Sequence, residues 1–182
     1  MAVMYRTDPD YFERLDGREY PKVSPLARHG IVQATISHML RSLVGSSGRV
    51  MNEVRFRIGA VDGTDSWLLP DVAVVMKGMD RIRPLRLRNG EPLFAPDIAV
   101  EVRSPGQRKS LRERKIVRYL VTGTLLVLDA DPATHTIIAH SERGIRAYAE
   151  GDVIRDPQFP WLALDVTEAF NDLKDVYDED WQ

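Results

Sequence analysis

Two short apolar runs, PDVAVV at residues 70–75 and PDIAVEVR at residues 96–103, decide how this chain folds. Both are rich in β-branched residues and open with Pro-Asp, so each predicts a buried strand that begins beside an acidic residue. A carboxylate in a buried strand must be protonated, paired or bound to a cation, because an isolated buried charge is costly. The two runs therefore predict a metal-dependent acidic site within the sheet.

The spacing of the acids predicts which of them share the site. Side chains alternate between the faces of a strand, so Asp97, Glu101 and Arg103 lie on one face of the second run. If the two strands are neighbours, Asp71 and Glu101 face each other across roughly 5 Å and can bind one small divalent ion. Asp97 lies roughly 13 Å along the strand from Glu101, too far to bind the same ion.

A lysine on the following segment is placed to reach these acids. Residues 107–121 predict a helix, on which Lys115 falls between Leu111 and Tyr119 at the edge of the face packed against the sheet. An ammonium group there can orient an attacking hydroxide or stabilise the charge of a phosphate in the transition state. The alternative is a lysine whose stem covers apolar surface while its amine stays in solvent.

The remaining sequence predicts an α/β, mixed α+β fold with one central sheet flanked by helices. Turn and capping residues and hydrophobic periodicity place the other elements along the chain. They are a hairpin at 11–22 around Asp16-Gly17, a helix from Ser24-Pro25 to Gly45, strands at 50–58 and 66–76, an arginine-rich connection at 77–95, strands at 125–129, 135–140 and 145–150, and a short helix at 165–173.

Length and composition limit the class of protein. The 182 residues, 43% of them hydrophobic, predict a single domain over 1–182, with a core at about 11–173 and an acidic tail at 174–182. With no apolar run of roughly 18 to 20 residues and no signal-peptide pattern, we expect a cytoplasmic protein. The chain has no cysteine, which excludes disulfides, thiolate zinc sites and a cysteine nucleophile, and its four scattered histidines disfavour zinc.

Charge is distributed unevenly along the chain. Residues 81–118 contain 11 Lys or Arg and 4 Asp or Glu, whereas residues 119–182 contain 4 and 13. A positive stretch beside an acidic cleft can hold a polyanion, and the arginines at 81, 83, 86 and 88 alternate in a way suited to contacting phosphates. The same charges also fit a solvated basic helix followed by an acidic tail.

Several motifs together resemble a known family. They are Pro96–Pro105, Arg114-Lys115, Tyr119, Gly123, LVLDADP at 126–132, ERLDG at 13–17, His29, Pro70-Asp71-Val, GDV at 151–153 and LALD at 162–165. Over about residues 11–173 the chain resembles a bacterial family of restriction-endonuclease-like proteins, formerly a domain of unknown function, in the PD-(D/E)XK nuclease superfamily.

The resemblance implies roles for individual residues. Asp71 corresponds to the first metal-binding acid of the superfamily and Glu101 to the second, while Lys115 stands where this family supplies its lysine. Arg103 occupies the third motif position, where the superfamily usually has lysine and this family an apolar residue; an arginine there can stabilise phosphate charge and is a candidate catalytic residue, but it cannot act as a base at neutral pH.

Two further residues resemble family positions. Glu13 matches an acid of the N-terminal segment and could complete the metal shell, or it could be an ordinary strand glutamate. His29, on the apolar side of the first long helix, is either a structural histidine or a group that contacts substrate or transfers a proton.

The function implied is a Mg²⁺-dependent endonuclease that hydrolyses DNA, with Mn²⁺ as a substitute metal and a homodimer as the simplest way to cut both strands. The alternative is a catalytically degenerate nuclease fold that binds nucleic acid or another protein.

Overall fold

A computed structural model describes residues 11–22, 26–61, 64–77, 87–88 and 91–176 of the chain, with the backbone alone at 60, 61, 87 and 88. The helices in this described part are α1 (Ala27–Val44), α2 (Lys109–Val121) and α3 (Val166–Phe170), followed by a 3₁₀ turn at Asn171–Leu173. The strands are β1 (Phe12–Leu15), β2 (Arg18–Pro21), β3 (Gly48–Asn52), β4 (Phe56–Val61), β5 (Thr64–Leu68), β6 (Val72–Met76), β7 (Leu87–Arg88), β8 (Glu91–Pro92), β9 (Ile98–Val102), β10 (Leu126–Asp131), β11 (Thr136–Ser141), β12 (Gly144–Tyr148), β13 (Val153–Asp156) and β14 (Phe159–Asp165).

The central sheet has six strands in the order β12-β11-β10-β9-β6-β3. Strands β9 and β10 run parallel, and the other neighbours are antiparallel. The two sequence runs that predicted buried strands form β6 and β9, which are adjacent near the middle of the sheet, and every residue of β9 is buried. This mixed α+β architecture confirms the fold class predicted from the sequence.

Strand alternation gives the central sheet two different cores. On one face, Val72, Val100 and their neighbours pack with α1, α3 and β14. On the other face, the small side chains of Ala73 and Ala99 pack against Ile116 and Tyr119 of α2 and against a four-stranded sheet, β2-β1-β5-β4. Glu101 is two residues from Ala99, so it points into this second layer, beneath α2.

The hairpin and the first long helix follow the prediction. Asp16 and Gly17 have φ values of 53° and 75°, as a tight two-residue turn requires, and join β1 to β2. Helix α1 ends at Gly45, whose φ is 53°. The Ser24-Pro25 cap and the arginines at 81, 83 and 86 lie outside the described residues, as does the side chain of the arginine at 88.

The predicted strands at 50–58 and 66–76 are wrong, because each is two strands in different sheets. The first is divided between β3 and β4 at Glu53, whose positive φ of 52° turns the chain out of the central sheet. The second is divided between β5 and β6 around Pro70, which has no N–H for a strand ladder. The first break is concealed because Val54, Phe56 and Ile58 alternate with charged residues, and the second because residues 67–76 are almost continuously apolar.

The sequence did not predict the antiparallel β13–β14 pair. The short helix predicted after Asp165 is present as α3, and the side chain of Asp165 caps it by accepting hydrogen bonds from the N–H groups of Thr167 and Glu168. No helix in the described ranges combines the length and hydropathy needed to cross a bilayer.

Candidate active site

Three acidic residues form a row along the central strands: Asp71 just before β6, Glu101 of β9 and Asp129 of β10. Strand register places Glu101 of β9 directly beside Asp129 of β10. The β6–β9 register ends at the pair Val72 and Val100, so Asp71 and Glu101 are the next residues of their segments, and the N–H of Val102 donates to Oδ2 of Asp71. The structure therefore brings together the two acids that the sequence predicted to face each other.

Asp71 is completely enclosed by hydrogen-bond donors. Its Oδ2 accepts a 2.7 Å bond from the backbone N–H of Val102, next to Glu101. Its Oδ1 lies 2.7 Å from Nζ of Lys22 and 3.4 Å from Nε2 of His29. The side chain is 2% exposed, so both oxygens depend on protein partners rather than on solvent.

Glu101 is held from above by helix α2. Its Oε2 lies 2.5 Å from Nζ of Lys115, and its Oε1 accepts a 2.8 Å hydrogen bond from the hydroxyl of Tyr119, one helical turn later. Lys115 is only 3% exposed, so its ammonium group points into the site and not into solvent. The i, i+4 spacing of these two helix residues places both side chains over one carboxylate.

Glu13 joins the site from the neighbouring sheet. Its Oε1 lies 2.9 Å from Nζ of Lys115 and accepts a 2.9 Å hydrogen bond from the backbone N–H of Leu69. Lys115 therefore bridges Glu13 and Glu101, and the site gathers three buried carboxylates from β1, from the start of β6 and from β9.

His29 lies at the edge of the same site. Its Nδ1 is 2.9 Å from Oγ of Ser104 and its Nε2 faces Asp71. The ring is 5% exposed and connects the first turns of α1 with the loop that follows β9. These contacts place the His29 ring between Ser104 and Asp71.

Arg103 does not join this cluster. Its Nε and Nη2 bind the two oxygens of Asp129 at 2.9 and 2.7 Å, and its Nη1 binds Asp131 at 2.6 Å. The neighbouring parallel strand β10 thus supplies the acids that match the guanidinium fork of Arg103. The geometry also argues against its candidate catalytic role, because both edges of the guanidinium are already used.

Arg103 is expected to stabilise the protein rather than catalyse a reaction. Arg103→Met removes the bidentate partner of the buried Asp129 and leaves Arg112 at 3.2 Å as its charged partner among the described residues. The variant should lower the free energy of unfolding by about 2 kcal/mol. Urea unfolding measures this loss. The double variant Arg103→Met with Asp129→Leu should recover part of it, and a stability unchanged by Arg103→Met would contradict the assignment.

Burial and charge set the protonation of the acids. Burial and the carboxylates of Glu13 and Asp71 raise the pKa of Glu101 to about 7, despite the opposing charge of Lys115. For Asp71, burial is outweighed by the charge of Lys22 and by His29, and its pKa lies well below the usual range. Burial likewise opposes the charge of Lys115, but Glu101 and Glu13 outweigh it and raise its pKa, so this lysine stays protonated at neutral pH.

The raised pKa of Glu101 predicts a pH-dependent stability for the metal-free protein. Glu101 binds its proton more tightly when folded than when unfolded, where its pKa is near 4.5. Its favourable contribution is therefore complete below about pH 4.5 and is lost as the pH rises through about 7. Denaturant titrations of metal-free protein should show a loss on the order of 2 kcal/mol across this window. Glu101→Gln should flatten that slope; an identical slope in the variant would contradict the assignment.

The sequence did not predict Lys22 as a member of the site. The two-residue turn fixes the hairpin register, and the N–H of Lys22 donates to the carbonyl of Tyr11, so Lys22 lies on the same face as Glu13. The turn at Asp16-Gly17 was recognised, and extending its register to Lys22 would have found this residue. Nothing in the sequence shows that the hairpin packs beside β6.

The donor set suits a hard divalent cation, because carboxylate oxygens are the ligands that Mg²⁺ and Mn²⁺ prefer. Burial is the main cause of the raised pKa of Glu101, and the carboxylates of Glu13 and Asp71 add to it. As the side chains stand, no three His, Cys, Asp or Glu groups within the described ranges converge closely enough to hold a metal ion. Ammonium groups lie between the carboxylates instead.

Comparisons with known proteins identify a family and a similar solved structure. The family profile described as "Uma2: Putative restriction endonuclease" matches residues 3–167. A similar solved structure is that of "a putative nuclease belonging to DUF820 from Anabaena variabilis ATCC 29413", with a TM-score of 0.74 and 25% sequence identity over 88% of this chain and 89% of that one. No curated protein matches the chain.

Proposed function

Because the chain belongs to the Uma2 family, described as "Putative restriction endonuclease", we propose that it is a metal-dependent endonuclease that hydrolyses phosphodiester bonds in DNA. The observation that carries this proposal is the buried cluster of Glu13, Asp71 and Glu101 with Lys115 among them. A purely structural core does not need three carboxylates in one place, since their desolvation is costly and apolar residues would pack as well.

The charges of the cluster favour an added cation before substrate binds. When Glu101 is ionised, three carboxylates against the ammonium groups of Lys22 and Lys115 leave one surplus negative charge, which would repel a phosphodiester. Asp71 and Glu101, with Glu13, would hold Mg²⁺ or Mn²⁺. The ion, when bound, would supply a water of lowered pKa and neutralise phosphate oxygens.

Lys115 has the position and protonation needed to act on the phosphate. Its pKa is raised, so it acts as a fixed positive charge and hydrogen-bond donor rather than as a general base. Tyr119 fixes Glu101 in place, and burial of both residues keeps competing water away from the ammonium group. These residues thus orient the reacting groups while α2 covers the site.

The proposal is tested by incubating the protein with supercoiled, linear and single-stranded DNA in Mg²⁺, Mn²⁺ or EDTA. We expect nicked or shortened products with either metal and none with EDTA. Absence of cleavage of every substrate, or cleavage that continues in EDTA, would contradict it. Light scattering of the same preparation measures whether two sites are combined in a homodimer, as cutting both strands of a duplex would favour.

One observation supports a second candidate, a degenerate nuclease fold that binds nucleic acid without cleaving it. Glu13, Asp71 and Glu101 each already have a lysine ammonium partner, as expected for a site that no longer binds a metal ion. This candidate is expected to show DNA binding that weakens steeply with salt, with no turnover at any metal concentration. A metal titration that switches cleavage on would exclude it.

A further inference from the structure

Lys22 is a second lysine of the site, half-buried, and has no counterpart among the residues implied by the family resemblance. It directly follows β2, and its Nζ donates to the carbonyl of Leu69 at 2.6 Å and to Oδ1 of Asp71 at 2.7 Å. These two contacts place the ammonium group of Lys22 directly against one oxygen of the carboxylate assigned to the metal under the proposed function.

The two oxygens of Asp71 differ in how easily they can be freed. Oδ2 is held by the backbone N–H of Val102, which belongs to the central sheet and cannot leave. Oδ1 is held by the side chain of Lys22, with His29 at 3.4 Å. A flexible lysine can withdraw where a strand amide cannot, and the side chain of Lys22 is 12% exposed, against 4% for Lys115. The exchangeable position on Asp71 is thus the one that Lys22 fills.

We propose that the ammonium group of Lys22 occupies the position beside Oδ1 of Asp71 where the divalent ion would bind. Lys22 and the ion then compete for this oxygen. This inference rests on the proposed function, since it assigns Asp71 to the metal. Lys22 stabilises the metal-free protein by pairing a buried carboxylate, and it weakens metal binding because its ammonium group has to withdraw first. The ammonium group released beside the site is then free for a phosphate of the substrate.

The test is the dissociation constant of Mn²⁺, measured by electron paramagnetic resonance without DNA. Lys22→Met and Lys22→Gln should bind Mn²⁺ about tenfold more tightly than wild type, since one competing charge is gone. Lys22→Arg, which keeps the charge, should bind no more tightly than wild type. The matched control is Lys109→Met, which removes the same charge from a side chain 79% exposed on α2 and should leave the constant unchanged.

Thermal unfolding provides a second readout. Without metal, Lys22→Met should melt several degrees below wild type because Asp71 loses its counter-ion, and saturating Mn²⁺ should raise its Tm by more than it raises that of wild type. If Lys22→Met does not fold without metal, Lys22→Gln retains a donor for the carbonyl of Leu69 and takes its place.

The outcomes separate this inference from the proposed function. An affinity for Mn²⁺ that is equal or weaker in both neutral Lys22 variants overturns the competition, even if wild type cleaves DNA normally. Equal tightening by Lys109→Met also overturns it, because the effect would then be one of net charge. Absence of Mn²⁺ binding in every protein overturns both this inference and the metal dependence of the proposed nuclease.

Discussion

Asp71→Asn is expected to lower the rate of the proposed Mg²⁺-dependent DNA cleavage by about three orders of magnitude. The substitution keeps the size of the side chain but removes the negative charge that would hold the cation, and loss of metal-based stabilisation is worth about 4 kcal/mol in the transition state. Cleavage of a labelled duplex under single-turnover conditions measures the loss. Because Lys22 also loses its counter-ion, the unfolding curve of the variant must be measured beside its rate.

Asp129→Asn is the matched control for Asp71→Asn. Asp129 is equally buried and lies in the same row of acids, but its partners are Arg103 and Arg112, not the lysines of the site. The control should lose stability while its cleavage rate stays within about threefold of wild type. Equal losses of activity in the two variants would show that both acids only stabilise the fold. That result would contradict a metal-binding role particular to Asp71.

Lys115→Met lowers the cleavage rate by about two orders of magnitude, the size of effect expected when one preorganised donor is removed from the transition state. Methionine fills the space of the lysine stem beneath α2, so the change removes the charge with little loss of packing. Glu101 and Glu13 keep their oxygens, and Mn²⁺ should bind at least as tightly as in wild type. A fall in rate without a fall in metal affinity is the result that separates Lys115 from the metal-binding acids.

Lys109→Met again serves as control, since Lys109 lies on the same helix but faces solvent beside Glu113. Its activity should stay close to that of wild type. A Lys115→Met variant that is fully active would place the lysine among groups that only neutralise Glu101, and one that loses Mn²⁺ binding would show that its effect is structural.

The sequence predicted the parts of the site that depend on strand and helix periodicity. Alternation along β9 placed Glu101 and Ala99 on one face, and the helical spacing of Lys115 and Tyr119 placed both above that face. The position of Asp71 beside Glu101 depends on strand register. In the antiparallel β6–β9 pair Val72 lies opposite Val100, so Asp71 and Glu101 come next to each other.

The remaining features depend on which distant segments pack together, and local patterns contain no such information. Glu53 interrupts an alternating run through a positive φ, at a residue type for which that conformation is uncommon. Lys22 reaches Asp71 only because the hairpin sheet packs against the central sheet. Arg103 binds Asp129 and Asp131 because β10 runs parallel to β9, and a strand order cannot be inferred from the composition of either strand.

The most direct test is a crystal structure of the protein soaked in Mn²⁺, with an anomalous difference map collected near the manganese edge. The account predicts a single strong peak in coordination distance of both Asp71 and Glu101, with Nζ of Lys22 moved away from Oδ1 of Asp71. A map without a peak at these carboxylates at saturating Mn²⁺, or with the ion bound only elsewhere, would contradict it.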